Sequence, residues 1–181
     1  MQAAPNNNKP KKKRKEEQTA VETEKLHLFC KSELGSKCTP SDVLFVPQSS
    51  RIAVLCREEN SGSIRVLKFD VDESNTGTLL TRVLGCSKLK SGKLTLLRTI
   101  NCNAIGRCGT FDASSLAERF LVVGEFTGGL SVWDLEANRK VYEVAFHSEI
   151  INSIDGCGGF NVDRGPAELV TGCRDGSVCV W

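Results

Sequence analysis

The feature that most constrains this chain is an internal repeat. The stretch Phe120-Leu121-Val122-Val123-Gly124-Glu125-Phe126-Thr127-Gly128-Gly129-Leu130-Ser131-Val132-Trp133 aligns with Glu168-Leu169-Val170-Thr171-Gly172-Cys173-Arg174-Asp175-Gly176-Ser177-Val178-Cys179-Val180-Trp181 at an offset of 48 residues. Each copy is an apolar run, a glycine-bearing turn, and a second run that ends in tryptophan. A fainter copy, Gly62-Ser63-Ile64-Arg65-Val66-Leu67, has leucine in the tryptophan's place. Units that recur at this spacing cannot bury their own apolar faces and have to stack on one another.

From residue 38 onward, short β-branched and apolar runs alternate with Gly, Asn, Asp and Ser turns, with no sustained helical period. Strands are expected near 42–46, 51–56, 63–70, 93–100, 105–111, 119–124, 129–135, 140–146, 150–155, 167–173 and 176–181. Four strands per unit fits these spacings, and the offset is close to the roughly 40–45 residues of a four-stranded propeller blade. Runs such as Phe120–Val123 are apolar at consecutive positions, which requires cover on both faces, as neighbouring blades provide. A two-layer sandwich would alternate polar and apolar, and is the second-choice fold. The expected fold is all-β, a partial propeller over 26–181: blade one about 38–100, blade two about 105–146, and blade three about 147–181.

Composition narrows the function classes. The chain is 40% hydrophobic and 25% charged, as soluble globular proteins are. No apolar stretch approaches the roughly 18 residues that span a bilayer, and the N-terminus lacks the apolar core of a secretory signal. The expected site is the cytosol or nucleus. Nine cysteines, odd in number and scattered without a Cys-x-x-Cys, read as reduced thiols rather than a disulfide framework or zinc site. The first 15 residues hold six of the 24 basic side chains and no acidic one, leaving 18 basic against 22 acidic and a body charge of −4. That balance does not suit a folded nucleic-acid-binding surface. Residues 1–25 offer almost nothing to bury and are expected to be disordered. Within them Lys11, Lys12, Lys13, Arg14 and Lys15 resemble a monopartite nuclear localisation signal, though a solvated lysine tail fits the same residues and arises often by chance.

The segment Thr171-Gly172-Cys173-Arg174-Asp175-Gly176-Ser177-Val178-Cys179-Val180-Trp181 resembles the repeat ending of WD-repeat proteins, Ser/Thr-Gly-x-x-Asp-Gly-x-Val-x-Val-Trp. The resemblance implies a structural tetrad of His147, Thr171, Asp175 and Trp181, in which aspartate accepts from imidazole, imidazole from hydroxyl, and hydroxyl from the indole N–H. Blade two keeps Gly124, Trp133 and Asp134 but has Val123 and Thr127 at the threonine and aspartate positions, so its tetrad is expected to be lost. The rival reading makes His147 and Asp175 a catalytic dyad with Thr171 as nucleophile. It is set aside, because nothing adjacent resembles an oxyanion hole and the fold period already explains the set.

A narrower resemblance rests on Cys108–Leu116, Gly124–Glu136, Glu149–Gly159 and Gly165–Gly176, which are similar to the Monad family of WD-repeat dynein axonemal assembly factors. It is strong over 105–181, weaker over 26–70 and absent from the tail. Phe146, where such repeats usually have glycine, departs from the pattern, as does an apparent insertion over 71–92, read as a surface loop. The resemblance implies a seven-bladed propeller closed by an N-terminal strand at 26–30. It further implies a non-catalytic adaptor that needs no cofactor and no membrane, with RuvB-like ATPases, prefoldin-like subunits and dynein assembly clients as partners. Another WD-repeat adaptor, a nuclear mRNA export factor or a ubiquitin-ligase substrate receptor, is the alternative. Trp181 falls inside a blade, so the chain is expected to be a piece of a longer protein with exposed, aggregation-prone edges. The sequence does not single out partner-binding residues: Arg65, Arg107, Arg164 and Arg174 are candidates, and solvated surface fits them equally well.

Overall fold

The computed structural model describes residues 31–71, 92–113, 118–158 and 168–181. The basic tail 1–25 with its run Lys11–Lys15, the closing strand 26–30, Arg164 and most of the 71–92 insertion lie outside the described residues. The described residues form eleven strands: β1 Thr39–Phe45, β2 Arg51–Arg57, β3 Gly62–Val71, β4 Gly92–Cys102, β5 Gly106–Thr110, β6 Phe120–Glu125, β7 Gly129–Asp134, β8 Arg139–Ala145, β9 Ile151–Cys157, β10 Glu168–Cys173 and β11 Val178–Val180. The described residues contain no helix. Turn chemistry and apolar runs located each strand of the described residues, because both signals are local in the chain. Val71 pairs with Gly92, so the insertion joins the paired ends of one hairpin.

The strands form three antiparallel sheets, ordered β1-β2-β3-β4, β5-β6-β7-β8 and β9-β10-β11. β5 lies beside β1 and β2 on one side and beside β9 on the other, and β6 also packs on β9. The sheets thus stand face to face as adjoining blades of a partial β-propeller, their first strands innermost.

Burial follows from that stacking. In the middle sheet β6 is buried at every position but its first, whereas β10 alternates and β11 is largely open. Along β6, Leu121 and Val123 join the core shared with the first sheet, alongside Leu55 and Ile64. Val122 points the other way, into a second core with Ile151 and Leu169 of the third sheet. Strand side chains alternate between faces, so a run apolar at consecutive positions is what a doubly covered strand needs. Burying each such side chain contributes about 1.5–3 kcal/mol.

Two further features lock the seams. The Ser41 hydroxyl donates to the Gly106 carbonyl at 2.6 Å, and Asp42 Oδ2 accepts the Gly109 amide at 2.9 Å, which ties β1 to β5. Gly124, part of the repeat signature, sits where a Cβ would come within 2.7 Å of Ile151 Cγ2. Glycine there lets β9 close onto β6.

Candidate functional site

The polar side chains of the repeat gather into three clusters, one in each sheet at the hairpin joining its second and third strands. In the third sheet His147, just ahead of β9, is buried, and its Nε2 lies 2.8 Å from Thr171 Oγ1. The Trp181 Nε1–H donates to the same oxygen at 3.0 Å. A hydroxyl that accepts from an indole sends its own proton onward, so Nε2 is the acceptor and Nδ1 carries the imidazole proton. Nδ1 then donates to Ser177 Oγ at 2.9 Å, and Ser177 donates its hydroxyl and, at 2.8 Å, its amide to Asp175 Oδ1.

This arrangement differs from the tetrad implied by the resemblance in one link. Asp175 Oδ2 stands 3.7 Å from His147 Nδ1, beyond hydrogen-bond range, so Ser177 carries the connection between carboxylate and imidazole. The reason is local: Gly176, at φ +87°, turns the chain so that residue 177 comes back over the carboxylate of residue 175. The Ser177 hydroxyl and amide also hold the Asp175 carboxyl well below the usual carboxylate range.

Trp181 is less enclosed than Trp133, its counterpart in the middle sheet. The residue is 39% exposed, against 7% for Trp133, with no described strand beyond β11 to cover it. Phe146, the departure from the repeat pattern, packs edge-on against both the Trp181 ring at 5.3 Å and the His147 ring at 5.7 Å.

The middle sheet lacks the four-member set, as expected from Val123 and Thr127, but a different relay stands in its place. The Trp133 Nε1–H donates to Ser131 Oγ at 3.0 Å, Ser131 donates to Glu125 Oε1 at 2.8 Å, and Thr127 donates to Glu125 Oε2 at 3.1 Å. Ser131 and Glu125 are buried. Register explains the substitution. Thr171 faces Cys179 across the β10–β11 ladder, and Val123 faces Ser131 across β6–β7. The hydroxyl has crossed to the other member of the same cross-strand pair, where it still reaches the indole. The signal was present in the aligned repeat, as Ser131 against Cys179 and Glu125 against Cys173, but it becomes legible only once the strands are paired.

The first sheet carries a third version. Arg65 faces Val54, and Ser63 and Arg65 donate to Glu58 Oε1 at 2.8 and 3.2 Å. Those bonds, the Ser63 one foremost, lower the Glu58 carboxyl from its ordinary value. Arg65, a candidate for exposed binding, is therefore committed inside the sheet, with 17% of its side chain exposed. Arg107 leans its guanidinium toward the Ser41 carbonyl at 3.4 Å, and Arg174 is exposed on the third sheet's hairpin.

Asp134, the residue after the tryptophan, has a separate task. Arg119 clamps its carboxylate through Nε at 3.1 Å and Nη2 at 2.7 Å, while Asp134 Oδ1 accepts the Glu136 and Ala137 amides at 3.0 Å each. The Arg119 guanidinium, then the Ala137 amide, hold the carboxyl down to about 2. The aspartate thereby caps the β7–β8 turn.

His147, Cys173 and Asp175 keep their donor atoms within 4.8 Å of one another, the one trio among the described residues that could gather round a metal ion. Both imidazole nitrogens already hold hydroxyl partners, and a metal would have to displace one of them. Thr171, whose hydroxyl a histidine faces as in a nucleophile–base pair, is fully buried.

No family model matches the chain. Its sequence is 48% identical over 102 residues to proteins named dynein axonemal assembly factor 10 from Bos taurus and Homo sapiens, a stretch that is 56% of this chain and 29% of each of theirs. The protein of that name from Chlamydomonas reinhardtii is 51% identical over 76 residues, 41% of this chain and 21% of its own length. The chain thus spans less than a third of the curated relatives it matches.

Proposed function

We propose that this chain is part of a WD-repeat propeller that serves as a non-catalytic protein-interaction scaffold in the assembly of axonemal dyneins. The observation that carries the reading is the likeness of 48–51% to proteins named for dynein axonemal assembly. The finer reading is an adaptor that brings dynein assembly clients to a co-chaperone complex of RuvB-like ATPases and prefoldin-like subunits. Buried polar chemistry supports a scaffold over an enzyme. The histidine, hydroxyls and carboxylates that could serve a reaction are paired with one another at the hairpins, and the Thr171 hydroxyl has no access to a substrate.

Affinity purification of the tagged protein from ciliated cells tests this. Recovery of RuvB-like ATPases with prefoldin-like subunits is expected. Recovery of nuclear-pore or cullin subunits in their place would favour the alternative, an mRNA export factor or ubiquitin-ligase substrate receptor. The proposed location is the cytoplasm, with a nuclear pool drawn by Lys11–Lys15. Deleting residues 9–15 should abolish that pool in imaging, and an unchanged distribution would remove the signal from the account.

A further inference from the structure

Two thiols meet where the chain enters the first sheet. β1 pairs with β2 so that Pro40 faces Cys56 and Thr39 faces Arg57. Cys38, two residues before Pro40, is consequently the diagonal neighbour of Cys56 on the same face, and it packs against the small core that Cys56 forms with Val54 and Leu67. Cys56 is buried, whereas Cys38 is half-buried and opens on a hollow lined by Leu34, Lys37, Glu58 and Arg65. The Arg65 Nε–H beside the pair is the one buried side-chain nitrogen or oxygen among the described residues without a hydrogen-bond partner, while Arg65 Nη2 is paired with Glu58.

We propose that Cys38 and Cys56 are a redox-modification site, a dithiol that a hydroperoxide converts to a disulfide across the edge of the first sheet. Exposure divides the roles. Cys38 is half-buried and reachable through the hollow. Cys56 is held as a thiol, because burial, and after it the neighbouring Cys38, pushes its pKa up to about 12. The Cys38 thiolate attacks the peroxide: an S–O bond forms, the O–O bond breaks, and hydroxide or alkoxide leaves. Cys56 Sγ then attacks the Cys38 sulfur, forming the S–S bond and breaking S–O. The departing hydroxide takes the Cys56 proton as water, so the peroxide is reduced by two electrons and the dithiol oxidised by two.

A diagonal pair starts at roughly 7–8 Å, beyond the roughly 4.4–6.8 Å Cα separation that a disulfide bridges, so the backbone has to move by about 1 Å. The required movement falls on Cys38, which lies outside the ladder in a turn closed by one amide bond, Cys38 N–H to the Gly35 carbonyl at 3.3 Å. Oxidation would pin residues 34–38 over the Glu58–Arg65 pair, with Arg65 already bonded to the Leu34 carbonyl.

The test treats the folded protein, as expressed in its native host, with hydrogen peroxide, blocks free thiols with N-ethylmaleimide, and maps tryptic peptides by mass spectrometry. Cleavage after Lys37, Arg51 and Arg57 isolates each cysteine in its own peptide, 38–51 and 52–57. The expected result is a joined peptide lighter by two hydrogens, cleaved by dithiothreitol, and the dominant disulfide of the map. In Cys56→Ser, dimedone should instead capture a sulfenic acid at Cys38. The proposal is overturned if both peptides carry the maleimide after oxidation, or if the exposed Cys157 is the residue oxidised. It is equally overturned if the joined peptide is as abundant after oxidation in urea as in the folded chain. The wild-type map decides by itself should the variant fail to fold.

Discussion

The middle and third sheets face the same problem, an indole N–H that needs an acceptor near the hairpin of the second and third strands, and place the accepting hydroxyl on opposite strands. In the third sheet the acceptor is Thr171 on β10, which passes its proton to His147 and, through Ser177, connects to Asp175. In the middle sheet it is Ser131 on β7, which passes its proton directly to Glu125. What the relay preserves is a hydroxyl beside the tryptophan and a carboxylate at its end, not any one residue at any one position. Cross-strand neighbours lie about 4.5–5.5 Å apart at Cβ, close enough for either to reach the same partner. The middle relay is shorter because a buried glutamate two residues nearer the core replaces the turn aspartate, and no imidazole is needed to bridge the gap.

The sharpest separation of the two sheets should come from their indoles. Trp133→Ala opens a cavity between covered faces and is expected to cost about 3–5 kcal/mol in urea unfolding. Trp181→Ala, at a residue already 39% exposed, should cost less, about 2–3 kcal/mol. Equal losses would mean that the third sheet's open face is covered in solution.

Next in size is the hydroxyl. Ser131→Ala leaves the Trp133 N–H and one Glu125 oxygen without partners, an expected loss of about 1–3 kcal/mol. Adding Val123→Thr in that background rebuilds the third sheet's arrangement and should recover part of it. A double-mutant cycle with no coupling between positions 123 and 131 would break the equivalence drawn from register.

A smaller, pH-dependent contrast lies in Asp134. Its carboxyl falls from an ordinary 3.8 to about 2 in the fold, so folding is stabilised by its charged form above about pH 4 and loses that contribution as pH drops toward 2. Arg119→Met removes the first cause of the shift, and its stability profile should flatten over that window relative to the parent. A parallel profile would show that the turn amides alone hold the carboxylate. The least effect is expected at Ser148→Ala, whose contacts to Asp175 stretch to 3.4 Å on an exposed edge: less than about 0.5 kcal/mol by the same unfolding measurement.

The candidate site was partly legible from sequence. His147, Thr171 and Trp181 come together in space, and Asp175 reaches them through Ser177, a serine that the repeat pattern treats as variable. Glu125 and Ser131 were invisible as a pair because their meeting depends on which residues face one another across β6 and β7. Arg65 reads differently in the structure for a related reason: a long cationic side chain reads as surface until a half-buried carboxylate, Glu58, is found beside it.

By itself, the amino-acid sequence determined the period, the positions of the strands and the doubly apolar character of β6, because turn residues and side-chain alternation act within a few residues of chain. The tertiary structure decided which polar atoms are partners, how deeply each tryptophan is covered and where Cys38 and Cys56 meet. Those outcomes depend on strand register and on what lies across a seam, and a hydrogen bond is gained or lost within less than an ångström of separation.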